Sequence, residues 1–131
     1  MRAVLLTAGL LAVMGLITGC SSKCESVCSN YNSCDISQRP TDVDCPSFCS
    51  DVDAFNSRAK AAGQESCDAQ FQAHLDCWDK NSKQICSADF EGCNDANQAW
   101  VDCMTTYCAA VASAKQTDPN CSKGKPTLKP F

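Results

Sequence analysis

Thirteen cysteines in 131 residues dominate the chemistry open to this chain. A cysteine can carry a thioether-linked group, ligate a metal as thiolate, exchange disulfides or simply cross-link. Spacing helps to discriminate among these. Cys24 and Cys28, then Cys45 and Cys49, form a twin CX3C arrangement. Cys67 and Cys77, then Cys93 and Cys103, form a twin CX9C arrangement. Cys34, Cys86, Cys108 and Cys121 stand outside both patterns, and Cys20 closes an apolar N-terminal stretch. An odd count leaves one thiol over in an oxidising compartment. If Cys20 is set apart, twelve remain, enough for six disulfides.

The stretch before Cys20 reads as an export signal. Arg2 supplies the positive start, and Ala3 to Ile17 form an apolar run of 15 residues interrupted only by Thr7. That is short of the ~20 residues needed to span a bilayer. The run ends in Leu16-Ile17-Thr18-Gly19-Cys20. This segment resembles the lipobox of bacterial lipoproteins. The resemblance implies removal of residues 1–19, a covalent diacylglyceryl group on Cys20 and a short tether over residues 20–22. It implies attachment to the bacterial cell envelope, with Ser21 compatible with the outer membrane. Two or three acyl chains hold stably, at about 0.8 kcal/mol per buried methylene. The alternative is an ordinary signal peptide with no lipid. The chain as a whole is similar to the cysteine-rich lipoproteins of myxobacteria and related soil bacteria, which share a short lipobox signal, CX3C pairs and helical cysteine repeats.

The elements that must position the remaining cysteines read as helices, and little strand pattern is visible. Ser22-Lys23-Cys24-Glu25 has the form of a capping box, predicting a first helix to about Asn32. A polar loop with Pro40 follows; Asp44 then suits an N-cap, with Pro46 in the first turn of a second helix ending at Gly63. The segment Cys67–Cys77 aligns without gaps to Cys93–Cys103, sharing Gln-Ala and the aspartates Asp76 and Asp102. Phe71, His74, Leu75 and Trp78 form one stripe; Trp100, Met104, Tyr107 and Val111 form another. The expected fold is an all-α, disulfide-stapled bundle over 23–114, made of two antiparallel helix hairpins at about 23–63 and 66–114, behind the cleaved signal peptide.

In an antiparallel hairpin the outer cysteines face one another, and so do the inner ones. This predicts Cys24–Cys49 with Cys28–Cys45, and Cys67–Cys103 with Cys77–Cys93. Four residues are about one turn and ten are nearly three, so each pair of thiols keeps to one side of its helix. Cys34–Cys86 and Cys108–Cys121 are one allocation of the other four; twelve cysteines allow about ten thousand pairings, and spacing does not select among them. The spacings resemble two mitochondrial intermembrane-space families, the small translocase chaperones with twin CX3C and the coiled-coil-helix proteins with twin CX9C. That resemblance covers the cysteines and helical register alone, and it implies stapled α-hairpins.

Large aliphatic residues are scarce after residue 20: the leucines and isoleucines are Ile36, Leu75, Ile85 and Leu128. Disulfides, at ~2–4 kcal/mol each, are therefore structural necessities. Residues 20–114 carry 6 Lys/Arg against 14 Asp/Glu, whereas residues 115–131 carry 4 lysines against Asp118. The acidic body argues against nucleic acid as a partner. The basic end, with Gly124, Pro126 and Pro130, reads as a flexible, solvated tail in which Leu128 adds nothing to a core. Contact of this tail with anionic lipid headgroups is the alternative.

No catalytic constellation is expected, since His74 is the single histidine. There is no CXXC redox motif and no dinucleotide fingerprint. No metal is expected: the even remainder of cysteines favours disulfides over zinc, and Asp42, Asp44, Asp51 and Asp53 lack a calcium-loop pattern. His74, Trp78, Trp100 and Tyr107 read as packed helix residues, and Asp76 and Asp102 as structural. The expected role is a non-enzymatic binding or structural module, its cofactor limited to the lipid on Cys20. Its expected partners are the membrane and an envelope or surface protein. Two alternatives stand beside it: a thiol-redox or metal protein using Cys34, Cys86, Cys108 and Cys121, and a secreted cysteine-rich effector without lipid.

Overall fold

A computed structural model describes residues 19–35, 42–87 and 89–129, with the backbone alone over 19–22. Residues 1–18 of the expected signal segment, Pro40 and the side chain of Cys20 lie outside the described residues. The fold is all-α: α1 Gly19–Asn32, α2 Cys45–Ala61, α3 Asp68–Lys80 and α4 Asn94–Ser113. A small antiparallel ribbon follows, β1 Cys121–Ser122 with β2 Lys125–Pro126.

Helix starts and stops follow local chemistry, with one exception. The Asp44 carboxylate accepts from the Ser47 backbone N–H (3.3 Å) and hydroxyl (3.0 Å), and Pro46 occupies the first turn of α2. α2 ends in a Schellman arrangement. Gly63 lies at φ +69°, the Gln64 N–H reaches the Ala59 carbonyl (2.9 Å), and the Gly63 N–H reaches Lys60 (3.0 Å). α4 ends the same way with a lysine in the glycine's place: Lys115 lies at φ 55°, with Gln116 bonded to Val111 and Lys115 to Ala112. α3 and α4 each follow a repeat cysteine, Cys67 or Cys93, with Asp68 or Asp95 in the first turn where the helix dipole favours an acid. The exception is α1. Its described part begins at Gly19, so Ser22, expected to cap the helix, lies within it.

α1 and α2 form the first hairpin, α3 and α4 the second. Phe48 of α2 packs edge-on to Trp100 (ring centroids 6.2 Å) and Phe55 to Tyr107 (4.8 Å), so α2 runs beside α4 in the same direction. Tyr31 of α1 meets Trp78 of α3 at 5.5 Å. The shared core comprises Val27, Val52 and Phe55 from the first hairpin and Phe71, Leu75, Trp100 and Met104 from the second. Consequently α1 starts, α2 ends, α3 starts and α4 ends towards one end of the bundle.

The C-terminal segment departs from the flexible tail expected of its composition. β2 and β1 pack on α4, Leu128 packs against the core, and Asp118 is buried. The cause is long-range. Arg58 of α2 grips Asp118 with two nitrogens, Nε to Oδ2 at 2.7 Å and Nη2 to Oδ1 at 3.1 Å, while Cys121 is bonded to Cys108. Asn120 also accepts from the Arg58 guanidinium.

Candidate functional site

The cysteine framework is the chemistry this chain concentrates, and α-hairpin geometry positions it. The structure joins Cys24 to Cys49 and Cys28 to Cys45, with Cα–Cα distances of 5.9 and 5.7 Å. It joins Cys67 to Cys103 and Cys77 to Cys93, both at 5.8 Å. In both hairpins outer meets outer and inner meets inner. Cys34–Cys86 (5.0 Å) ties the end of α1 to the loop between α3 and α4, and Cys108–Cys121 (5.4 Å) ties α4 to β1. Twelve sulfurs are thus occupied by one another. Among the described cysteines only Cys86 is well exposed.

His74 lies at the centre of an aromatic cluster. It is fully buried, 6.3 Å from Phe71, 5.6 Å from Trp78 and 5.2 Å from Trp100 between ring centroids. Burial pushes its pKa down to about 4, so it is neutral at physiological pH. Trp100 is buried beside it and Trp78 is partly buried, whereas Tyr107 is buried further along α4 against Phe55. The indole Nε1–H of Trp100 has no hydrogen-bond partner among the described residues.

The repeat aspartates take separate partners. Asp76 pairs with Lys23 of α1, which holds its carboxyl below the usual range. Asp102 accepts from Gln98 at 2.7 Å within α4. Of the acidic residues near α2, Asp44 is spent on the helix cap, while Asp42, Asp51 and Asp53 are exposed. Partial burial, then the nearby Asp68, raises the Asp53 pKa. Among the described residues no three His, Cys, Asp or Glu side chains converge on one point.

Sequence reasoning missed the cluster around Asp118. Arg58, Tyr107 and Asn120 converge on this carboxylate. The Tyr107 hydroxyl donates to Oδ2 (3.0 Å) and the Asn120 backbone N–H to Oδ1 (2.8 Å). Burial alone would raise the Asp118 pKa, but these three donors together hold it below the usual range. The single signal available was that Asp118 is the one acid in an otherwise basic segment. A neighbouring cleft of about 260 Å³ is lined by Gln64, Glu65, Gln70, Asp102, Thr106 and Tyr107.

No family model matches the chain, and neither the curated proteins nor the solved structures include a match. Fold and framework define a class: a small disulfide-stapled helical protein.

Proposed function

We propose that this chain is a lipid-anchored lipoprotein of the bacterial cell envelope, held at the outer membrane through Cys20. It presents a rigid helical module for binding or envelope structure rather than for catalysis. One observation carries the reading. The twelve cysteines after Cys20 close on one another in six disulfides, and Cys20 stands outside all of them. Parity, the oxidising compartment and the apolar run before Cys20 then have one common explanation. The non-catalytic part is supported by where the reactive groups are spent. His74 is sealed in the core, and Asp76 and Asp118 are engaged by Lys23 and Arg58.

The test is the intact mass of the mature protein from membranes, alkylated without reduction. The expected mass is that of residues 20–131 plus a diacylglyceryl or triacyl group, less twelve hydrogens, with no alkyl label. An unlipidated mass would overturn the anchor. Labelled cysteines would favour a second reading, thiol exchange at Cys34–Cys86, which the exposure of Cys86 supports.

A further inference from the structure

The basic segment is folded, and its charge is directional. Lys115, Lys123, Lys125 and Lys129 are all exposed. The one acid among them, Asp118, is buried and neutralised by Arg58, so the lysines keep their charge outward. Lys123 and Gly124 form the turn of the β-ribbon, at φ 52° and 76°, and the turn lies against Ala109 and Ala112 of α4. Lys115 follows the last turn of α4, beside Arg58, Ala61 and Ala62 near the end of α2. The rest of the mature chain is strongly acidic, with 6 Lys/Arg against 14 Asp/Glu over residues 20–114.

The position of this basic end bears on the anchor. The staples set Cys24 beside Cys49 and Cys28 beside Cys45, so α1 begins towards the end where α2 finishes. Phe55–Tyr107 and Arg58–Asp118 bring the end of α4 and the following segment to that same end. Four residues separate Cys20 from Cys24, about 6 Å of helix. The same register sets Cys20 level with about Asp53 of α2, roughly 12 Å of helix short of the Ala61 end where the lysines cluster, so the anchoring residue lies on the lysine side of the bundle rather than at its tip. The Cys77–Cys93 staple, with Lys80 and Lys83, lies at the other end.

We propose that Lys115, Lys123, Lys125 and Lys129 form a membrane-facing surface that binds anionic, phosphate-bearing lipid headgroups on the same side of the bundle as the Cys20 anchor. The proposal rests on the lipoprotein reading for its anchor. Charge complementarity selects this occupant. Exposed Asp51, Asp53 and Glu65 lie near the same end, but the four lysines outnumber them, and Asp68 and Asp118 are paired with Lys60 and Arg58, so an anionic surface favours the lysine face turned towards it, the side on which Cys20 also lies. Screening confines the attraction to about 10 Å at ordinary salt, so lysines on the anchored side act and those at the far end do not. A polybasic surface is the usual complement to an acyl anchor.

The test is amine footprinting of the full lipidated protein, its lipid first verified by mass. The protein is reconstituted in phosphatidylcholine vesicles, with or without phosphatidylglycerol, and acetylated briefly. The four tail lysines are expected to label about fivefold more slowly on the anionic vesicles, the factor for one lysine near such a surface. Lys80 and Lys83 should label equally on both, and high salt should erase the difference. Lys123→Glu with Lys125→Glu, both at exposed positions, should restore labelling of Lys115 and Lys129. Equal labelling of the tail lysines on both vesicles would overturn the proposal. So would slowing that follows protein density rather than lipid charge, which would mark contact with the acidic body of a second copy. If the mass shows no lipid, the anchor reading fails separately. The unlipidated chain then tests the surface alone, by cosedimentation with the same vesicles, where binding only to anionic vesicles supports it and no binding refutes it.

Discussion

In the first hairpin the two staples lie one helical turn apart; in the second they lie nearly three turns apart. Cys45 and Cys49 clamp only the start of α2, leaving residues 50–61 beyond any disulfide. That stretch is held from across the molecule. Phe55 packs on Tyr107, Asn56 accepts from the Cys67 backbone N–H (2.9 Å), Arg58 binds Asp118, and Lys60 pairs with Asp68. The second hairpin instead encloses its own packing. Phe71, His74, Leu75 and Trp100 lie between its staples, with Phe71 and Trp100 rings 4.8 Å apart. Staple spacing thus sets dependence: the CX3C hairpin leans on the CX9C hairpin far more than the reverse.

The largest perturbation should come from Trp100→Ala. Emptying a fully buried tryptophan site costs about 3–5 kcal/mol. Denaturant unfolding with disulfides intact should show that loss. Hydrogen exchange should show residues 50–61 losing protection although the substitution lies in the other hairpin. Change confined to α3 and α4 would break the claim of dependence.

Removing Cys34–Cys86 as the paired serine variant tests the covalent link between hairpins. Its sequence separation of 52 residues gives about 4 kcal/mol of lost unfolded-state constraint, against about 3 for the 16-residue Cys77–Cys93 loop. The first hairpin should open sooner while α3 and α4 keep their protection. Equal opening of both would show that the core alone couples them.

Acid probes the second hairpin's enclosed core. His74 is depressed to about 4 by burial, whereas the unfolded chain protonates it near its ordinary 6.5. Its contribution is therefore complete above pH 6.5 and falls as pH drops towards 4, by about 3 kcal/mol over the window. His74→Phe should flatten that slope. A slope unchanged in the variant would place the acid sensitivity elsewhere.

What was legible in the sequence follows the range of the interaction that sets each feature. The all-α class, the hairpin registers and the Asp44–Pro46 start of α2 rest on spacings of a few residues, and those can be read directly. The same spacings imply the hairpin pairings the structure contains. The folded C-terminal segment was not legible, because glycine, proline and lysine describe a solvated tail unless Arg58, sixty positions earlier, is known to be waiting for Asp118. Asn56 was equally opaque. A buried asparagine amid α2 makes sense only once the Cys67 N–H is opposite it. The lipid on Cys20 remains a reading of the sequence, because the fold speaks only to the twelve cysteines that follow it.

The two hairpins also offer a matched pair at their ends, where the smallest effect is expected. α2 and α4 finish in the same hydrogen-bonded motif, but Gly63 fills the left-handed position in one and Lys115 in the other. A Cβ at Gly63 would meet nothing within 4 Å, so Gly63→Ala isolates backbone strain from contact. It should destabilise by about 1 kcal/mol. Lys115→Gly relieves the same strain but adds glycine's unfolded-state entropy, so its gain should be smaller, about 0.5 kcal/mol. Thermal unfolding of the two variants measures both signs. The expected asymmetry means that the lysine at the end of α4 costs stability where it stands. A charge placed at that cost is what the proposed headgroup-binding surface would use. If Lys115→Gly were neutral in stability and in footprinting alike, Lys115 would be no more than a surface residue, and the basic face would shrink to the ribbon and Lys129.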